Sequence, residues 1–180
     1  MSASRCVTVT IVAAGVLAAT RTAAAQQAQS RDSARALRAP DSAFAALQRR
    51  GQLAMGVDQY TSVHRFDKRA DGGRVELQRA RDDSAEIATI RTHLRAIQAA
   101  FERGDFSTPA FVHTRDVPGA SVMAARRAWI RYEVRDLPRG AELFMTTTDS
   151  LARRAIHEFI DFQRGDHRAG GADDHRHPPQ

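Results

Sequence analysis

The sequence predicts an α+β fold: two β-hairpins forming one antiparallel sheet, packed against two main α-helices in the order ββα-ββα. Three observations carry that prediction. Apolar and polar residues alternate with a period of two over 59–67, 74–79, 129–135 and 142–148. Turn signals join these runs in pairs, Asp71-Gly72-Gly73 in the first and Leu137-Pro138-Arg139-Gly140 in the second. After each pair comes an acidic cap and a run of apolar residues spaced three and four apart.

In chain order, residues 26–39 are rich in Gln, Arg, Ser and Ala, with Leu37 the lone large apolar side chain, and read as a disordered leader reaching residue 40. Pro40-Asp41-Ser42 signals a helix start, with Phe44 and Leu47 as its stripe and Gly51 as its expected end. The first alternating run puts Tyr60, Ser62, His64 and Phe66 on one face. The second puts Val75 and Leu77 together, and a longer loop is expected between them. Asp82-Asp83-Ser84 caps a helix whose stripe is Ile87, Ile90, Leu94, Ile97 and Phe101, with Gly104 as its stop.

Residues 105–120 read as loop, punctuated by Pro109 and Pro118-Gly119, with a short extra strand at 110–113 and a helical turn at 121–127. In the second hairpin Ile130, Tyr132 and Val134 oppose Arg131, Glu133 and Arg135, and Met145 alternates with Leu143 as core. Asp149 or Ser150 caps the last helix, which carries Ala152, Ala155, Ile156, Phe159 and Ile160 and closes at Gly165. Residues 165–180, rich in Gly, His, Asp and Pro, read as a disordered tail. One α+β domain over 41–164 results. The repeated order, each half closing on Gly-Asp, is equally consistent with an ancient duplication and with coincidence.

The first 25 residues predict an export signal. A short basic start precedes an apolar run over 6–20, and Ala23-Ala24-Ala25 supplies the small residues of a cleavage site before Gln26. The run is too short and alanine-rich for a stable membrane span. The expected location is periplasmic or secreted. Losing Arg5 and Arg21 with the signal lowers the net charge from +6 to +4. Among the basic residues only Lys68 is lysine, and acids are interleaved throughout, as in Arg79-Ala80-Arg81-Asp82-Asp83. No basic stripe with interleaved aromatics exists, so nucleic acid is not an expected partner. The only cysteine, Cys6, lies in the signal and precedes the apolar run, so disulfides, thiolate chemistry and a lipid anchor are not expected.

No Gly-x-Ser-x-Gly elbow, phosphate-binding Gly-x-x-x-x-Gly-Lys or dinucleotide fingerprint is present. The residues left to carry chemistry are histidines. His64 shares a strand face with Phe66, and His93 borders the stripe between Ile90 and Ile97. With His113 and His157 they form the candidate set for a divalent or copper ion, or for a general base. His157-Glu158-Phe159-Ile160-Asp161 is one residue short of the zinc-protease His-Glu-x-x-His, and its spacing turns His157 towards solvent. Met55 and Met123 are thioether candidates for a copper site, and His175 and His177 in the tail, with His167 upstream, are a loose metal-binding tract.

Several segments between Met55 and His167 resemble a family of small exported bacterial proteins: Met55-Gly56-Val57-Asp58-Gln59-Tyr60, Ile90-Arg91-Thr92-His93-Leu94, Phe111-Val112-His113 and Ala155-Ile156-His157-Glu158-Phe159. Some members carry the label aspartate carbamoyltransferase. The resemblance implies a single exported domain and directs attention to His93, His113 and His157. Carbamoyltransferases use a Ser-Thr-Arg-Thr phosphate loop, which this chain lacks, so carbamoyl transfer is the disfavoured reading. The favoured expectation is a binding protein for a small ligand or metal, or one pairing with a protein partner or a second copy through the open sheet face. The alternative is a small enzyme with a histidine base. Histidines converging on a concave site with a carboxylate favour the metal or enzyme reading; scattered, exposed histidines favour an interaction module.

Overall fold

The computed structural model describes residues 42–169. The expected signal, the leader and residues 170–180 of the expected tail lie outside them. Five helices and a four-stranded antiparallel sheet are formed: α1 (42–55), β1 (Ser62–Arg69), β2 (Gly72–Arg79), α2 (Ser84–Glu102), α3 (Ser107–His113), α4 (Ala120–Ala125), β3 (Arg131–Leu137), β4 (Gly140–Thr146) and α5 (Ser150–Asp166). The fold class is as predicted.

The sheet order is β1-β2-β4-β3, so the two hairpins meet through their second strands. Both hairpins turn on two residues: Arg69 pairs with Gly72, and Leu137 with Gly140. The first loop is thus shorter than expected. Gly72 enters β2 at φ +145, where a Cβ would lie 1.9 Å from the Met145 carbonyl oxygen, so glycine belongs to the ladder and not to a loop. Each long helix covers the other hairpin. The helix α2 packs on β3 and β4, and α5 on β1 and β2. Each ββα unit thus places its helix mainly over the strands of the other.

Helix boundaries follow local chemistry. The Asp83 side chain accepts from Glu86 N at 3.0 Å, and Asp149 from Ala152 N at 2.7 Å, capping α2 and α5. Gly104, at φ +80, donates to Phe101 O and ends α2. Gly51 does not end α1. It is buried inside the helix, and the stop is Gly56, at φ +74, donating to Gln52 O. An Asp58 turn takes residues 59–61, with Asp58 Oδ1 accepting from Tyr60 N, so β1 starts at Ser62, later than expected. The expected strand at 110–113 is the helix α3. Proline in a first turn costs a helix no hydrogen bond, and Asp105 Oδ1 accepts from Ser107 N just before it. Among the described residues no helix is long and apolar enough to cross a membrane.

The core lies between helices and sheet. Phe66, Leu143, Met145 and Tyr132 from the strands meet Phe101 of α2 and Ile156, Phe159 and Ile160 of α5, and Met123 is fully buried beneath α4. The helix α5 comes close because β2 presents Gly73, where a Cβ would meet Ile156 and Ile160 at 2.8 and 2.9 Å.

The opposite sheet face is a charge lattice. Glu76 and Glu142 stand directly across from each other on β2 and β4, which alone is repulsive. Arg74 resolves this, reaching Asp67 at 2.6 Å, Glu76 at 3.3 Å and Glu142 at 3.2 Å. Beside it Phe144 lies under the guanidinium groups of Arg69 and Arg135. Replacing Arg74 by Met should cost about 2–3 kcal/mol, because three largely buried carboxylates lose their cation. Urea unfolding measures it, and adding Glu142→Gln should recover part of the loss. An unchanged midpoint in Arg74→Met would show that the lattice carries no net stability.

Candidate functional site

Three of the four sequence-predicted histidines share one cavity, of about 110 Å³. His64 comes from β1, His93 from α2 and His113 from the last residue of α3. The fourth, His157, is elsewhere. It faces outward from α5 and donates Nε2–H to the Arg69 carbonyl at 3.0 Å. In its place the structure supplies His167, just past α5. Apart from Thr108 and Gln163 the rest of the lining is apolar or aromatic. Gly51, Ala54 and Met55 of α1 form one wall, and Phe66, Phe101 and Phe159 face it.

His167 is reached by continuing the stripe of α5. Ile156, Phe159, Ile160 and Gln163 follow spacings of three, one and three, and the next step of four is His167. Gly165 suggested a helix end, but helix continues through Asp166 and carries this imidazole inward. The ring stacks on Phe66 with centroids 5.5 Å apart, lies 5.8 Å from His64 and meets His113 edge-on at 5.1 Å. Thioether Met55 lines the same cavity, whereas Met123 and Met145 are core.

His113 is fully occupied by protein. It donates Nδ1–H to Asp166 Oδ2 at 2.7 Å, and Nε2 lies 2.9 Å from Gln163 Oε1. The other oxygen of Asp166 takes Arg115 at 2.6 Å, so the carboxylate is held from two sides. His113 therefore braces the end of α5 and orients Gln163. Arg164 adds two hydrogen bonds to the Phe66 carbonyl, which ties α5 to β1 next to the cavity.

The remaining imidazoles are held neutral. Burial, with His93 nearby, lowers the His64 pKa to about 4. Burial again, reinforced by His64 and His113 and opposed by Asp166, lowers His167 to about 3. Burial also lowers His93, against a backbone hydrogen bond at Ala54. An apolar cleft penalises an imidazolium, and clustered imidazoles penalise it further.

His64 and His167 form a partition. On their other side lies a second, more polar cleft of about 310 Å³, which they line with Gln48 and Arg168. Three residues lining this cleft each carry a buried atom that makes no hydrogen bond: His64 Nε2, His167 Nδ1 and Gln48 Oε1. Of the other such atoms among the described residues, those of Arg79 and Glu86 belong to an ion pair, and Tyr132 Oη lies in the core. Buried polar groups are ordinarily satisfied, so three orphans among the residues of one cleft mark a place built for a polar group. Among the described residues no three His, Cys, Asp or Glu side chains are grouped to hold a metal ion.

The chain matches no family model, no curated protein and no solved structure.

Proposed function

We propose that this chain is an exported binding protein for a small ligand, and that the histidine-lined cavity and its adjoining cleft are the binding site. The observation that carries the reading is that Gln48 Oε1, His64 Nε2 and His167 Nδ1, buried and unpaired, belong to residues lining one polar cleft, and that both histidines also line the apolar cavity. Leaving such groups unpaired costs about 1–3 kcal/mol each, a cost that a ligand sharing hydrogen bonds with them recovers on binding. The export signature at residues 1–25 supports an extracytoplasmic site of action.

Neutral imidazoles also weigh between binding and catalysis. A general base works best with a pKa near the working pH. His64 and His167 lie near 4 and 3, good for hydrogen bonding and poor for proton abstraction at neutral pH.

The test is non-denaturing mass spectrometry and elemental analysis of the mature protein, purified without a tag from the compartment that receives it. A bound small molecule or metal at one equivalent is expected in the native protein and should be absent from His167→Leu. Protein that carries nothing, and that no fragment of a small polar–aromatic library stabilises against heat, would overturn the reading.

A further inference from the structure

We infer that the ligand is a single-ring aromatic molecule with a hydroxyl or amide head, its ring in the apolar cavity and its head at the Gln48–His64–His167 partition. This inference rests on the binding function proposed above and narrows it to a ligand class.

Size comes first. A cavity of about 110 Å³ is below the roughly 150 Å³ of an engineered apolar cavity that takes benzene, so the ring alone nearly fills it. Two fused rings do not fit without movement of the wall. Shape and lining agree. Phe66, Phe101 and Phe159 offer edges and faces to a flat ring, and aromatic pairs favour offset or edge-on contacts at such distances.

The head group follows from the orphaned atoms. Gln48 Oε1 accepts only. A neutral imidazole presents one donor and one acceptor nitrogen. A partner for this set must both donate and accept, as a hydroxyl or a primary amide does. A carboxylate only accepts and would leave Gln48 Oε1 unpaired. A purely apolar ring would leave all three orphans. The second cleft begins at the partition, so the head has room and an exit to the surface.

A metal ion fits less well. His113 spends both ring nitrogens on Asp166 and Gln163, and no three ligating side chains are grouped among the described residues. Beyond the histidines the mainly apolar lining adds the Met55 thioether, the Thr108 hydroxyl and Gln163, whose Oε1 is already held against His113.

The experiment is titration of the mature protein with phenol, followed by two-dimensional NMR, with benzene, zinc and copper(I) run in parallel. Phenol should bind saturably with Kd in about the 0.01–1 mM range, the scale set by so few heavy atoms. Gln48→Leu keeps the side-chain size and removes one orphan, so it should fold normally, weaken phenol at least tenfold and leave benzene unchanged. His167→Leu should weaken phenol further, with thermal melting confirming that it is folded. No saturable shift at about 5 mM phenol, or equal binding by the wild type and a folded Gln48→Leu, overturns the inference. If zinc or copper(I) binds at one equivalent instead, and His64→Leu abolishes it, the ligand class is wrong but the binding function stands. If none of the four binds, the ligand class is overturned, and the binding function falls with it only where the native protein also carries no bound molecule and no library fragment stabilises it.

Discussion

Lowering the pH from 7 to 4.5 is expected to destabilise this protein strongly, on the order of 3 kcal/mol for each of two buried histidines. In the unfolded chain His64 and His167 titrate near 6.5, and in the folded protein near 4 and 3. The folded values are depressed, so below 6.5 the unfolded state binds protons that the native state refuses. Stability is therefore complete above about pH 6.5 and falls as the pH drops towards 4. Each pH unit between the two values is worth about 1.4 kcal/mol per group, and the two imidazoles penalise each other, so the sum is an upper bound.

The groups facing this pair come from every neighbouring element: His93 from α2, His113 from α3, Asp166 and Arg164 from α5, Gln48 from α1 and Arg168 beyond α5. Asp166 alone favours a proton on His167, and it is already shared by His113 and Arg115. Exposed carboxylates do not blur the window. Asp149, Asp105 and Glu133 are lowered by hydrogen bonds and nearby arginines, so their contribution is lost only as the pH falls past ordinary values of 3.8 and 4.5. Urea unfolding at pH 7, 6, 5 and 4.5 measures the slope. His167→Phe, which keeps a ring stacked on Phe66, should flatten about half of it. A midpoint constant from pH 7 to 5 would show that the imidazoles stay wet and titrate freely.

Much of this architecture was legible in periodicity alone. Four alternating runs became four strands, and the stripes 87–101 and 152–160 became the buried faces of α2 and α5. Sequence and structure part where glycine and proline read as punctuation. Gly51 sits inside α1, buried and lining the cavity, and ends nothing. Gly165 lies within the last turn of α5 with nothing near its absent Cβ, so it stops nothing. Pro109 lies in the first turn of α3, where its missing N–H leaves no helical hydrogen bond unmade.

The site was half legible for a related reason. Strand and helix phase put His64 on the face of Phe66 and His93 at the edge of the α2 stripe, and both line the cavity, whereas His157, whose spacing turns it outward, bonds the Arg69 carbonyl instead. In the sequence Gly165 marks the end of the last helix and leaves His167 in the tail, whereas α5 runs on to Asp166. Which histidines meet is set by long-range packing: α5 must lie along β1 before His167 can stack on Phe66. No local spacing encodes that contact. Gln48, on the predicted first helix, carried no chemical signal at all. It becomes a candidate only because its unpaired oxygen belongs to the same cleft as two imidazoles that each have an unpaired nitrogen.

Truncating Phe101 to Ala is expected to cost about 3–5 kcal/mol, near the top of the range for core aromatics. Phe101 is 2% exposed and sits where core and cavity share a wall. It stacks on Phe106 at 4.2 Å and meets Tyr132 and Phe159 edge-on, each at 5.8 Å. Those contacts join α2, β3 and α5 to the loop before α3, so the missing ring loosens four segments together. The same substitution opens the cavity from the core side. A protein too stable to unfold should therefore change what it binds: affinity for phenol should fall as the ring loses a wall, and a two-ring ligand such as 2-naphthol should gain entry. Phe101→Leu separates the effects, costing about 1–2 kcal/mol while keeping most of the wall. A measured loss in Phe101→Ala under about 1.5 kcal/mol, with ligand size preference unchanged, would mean that α2 and α5 collapse into the gap. The cavity would then be a soft space that any packing change can close, and its size would no longer argue for a single ring.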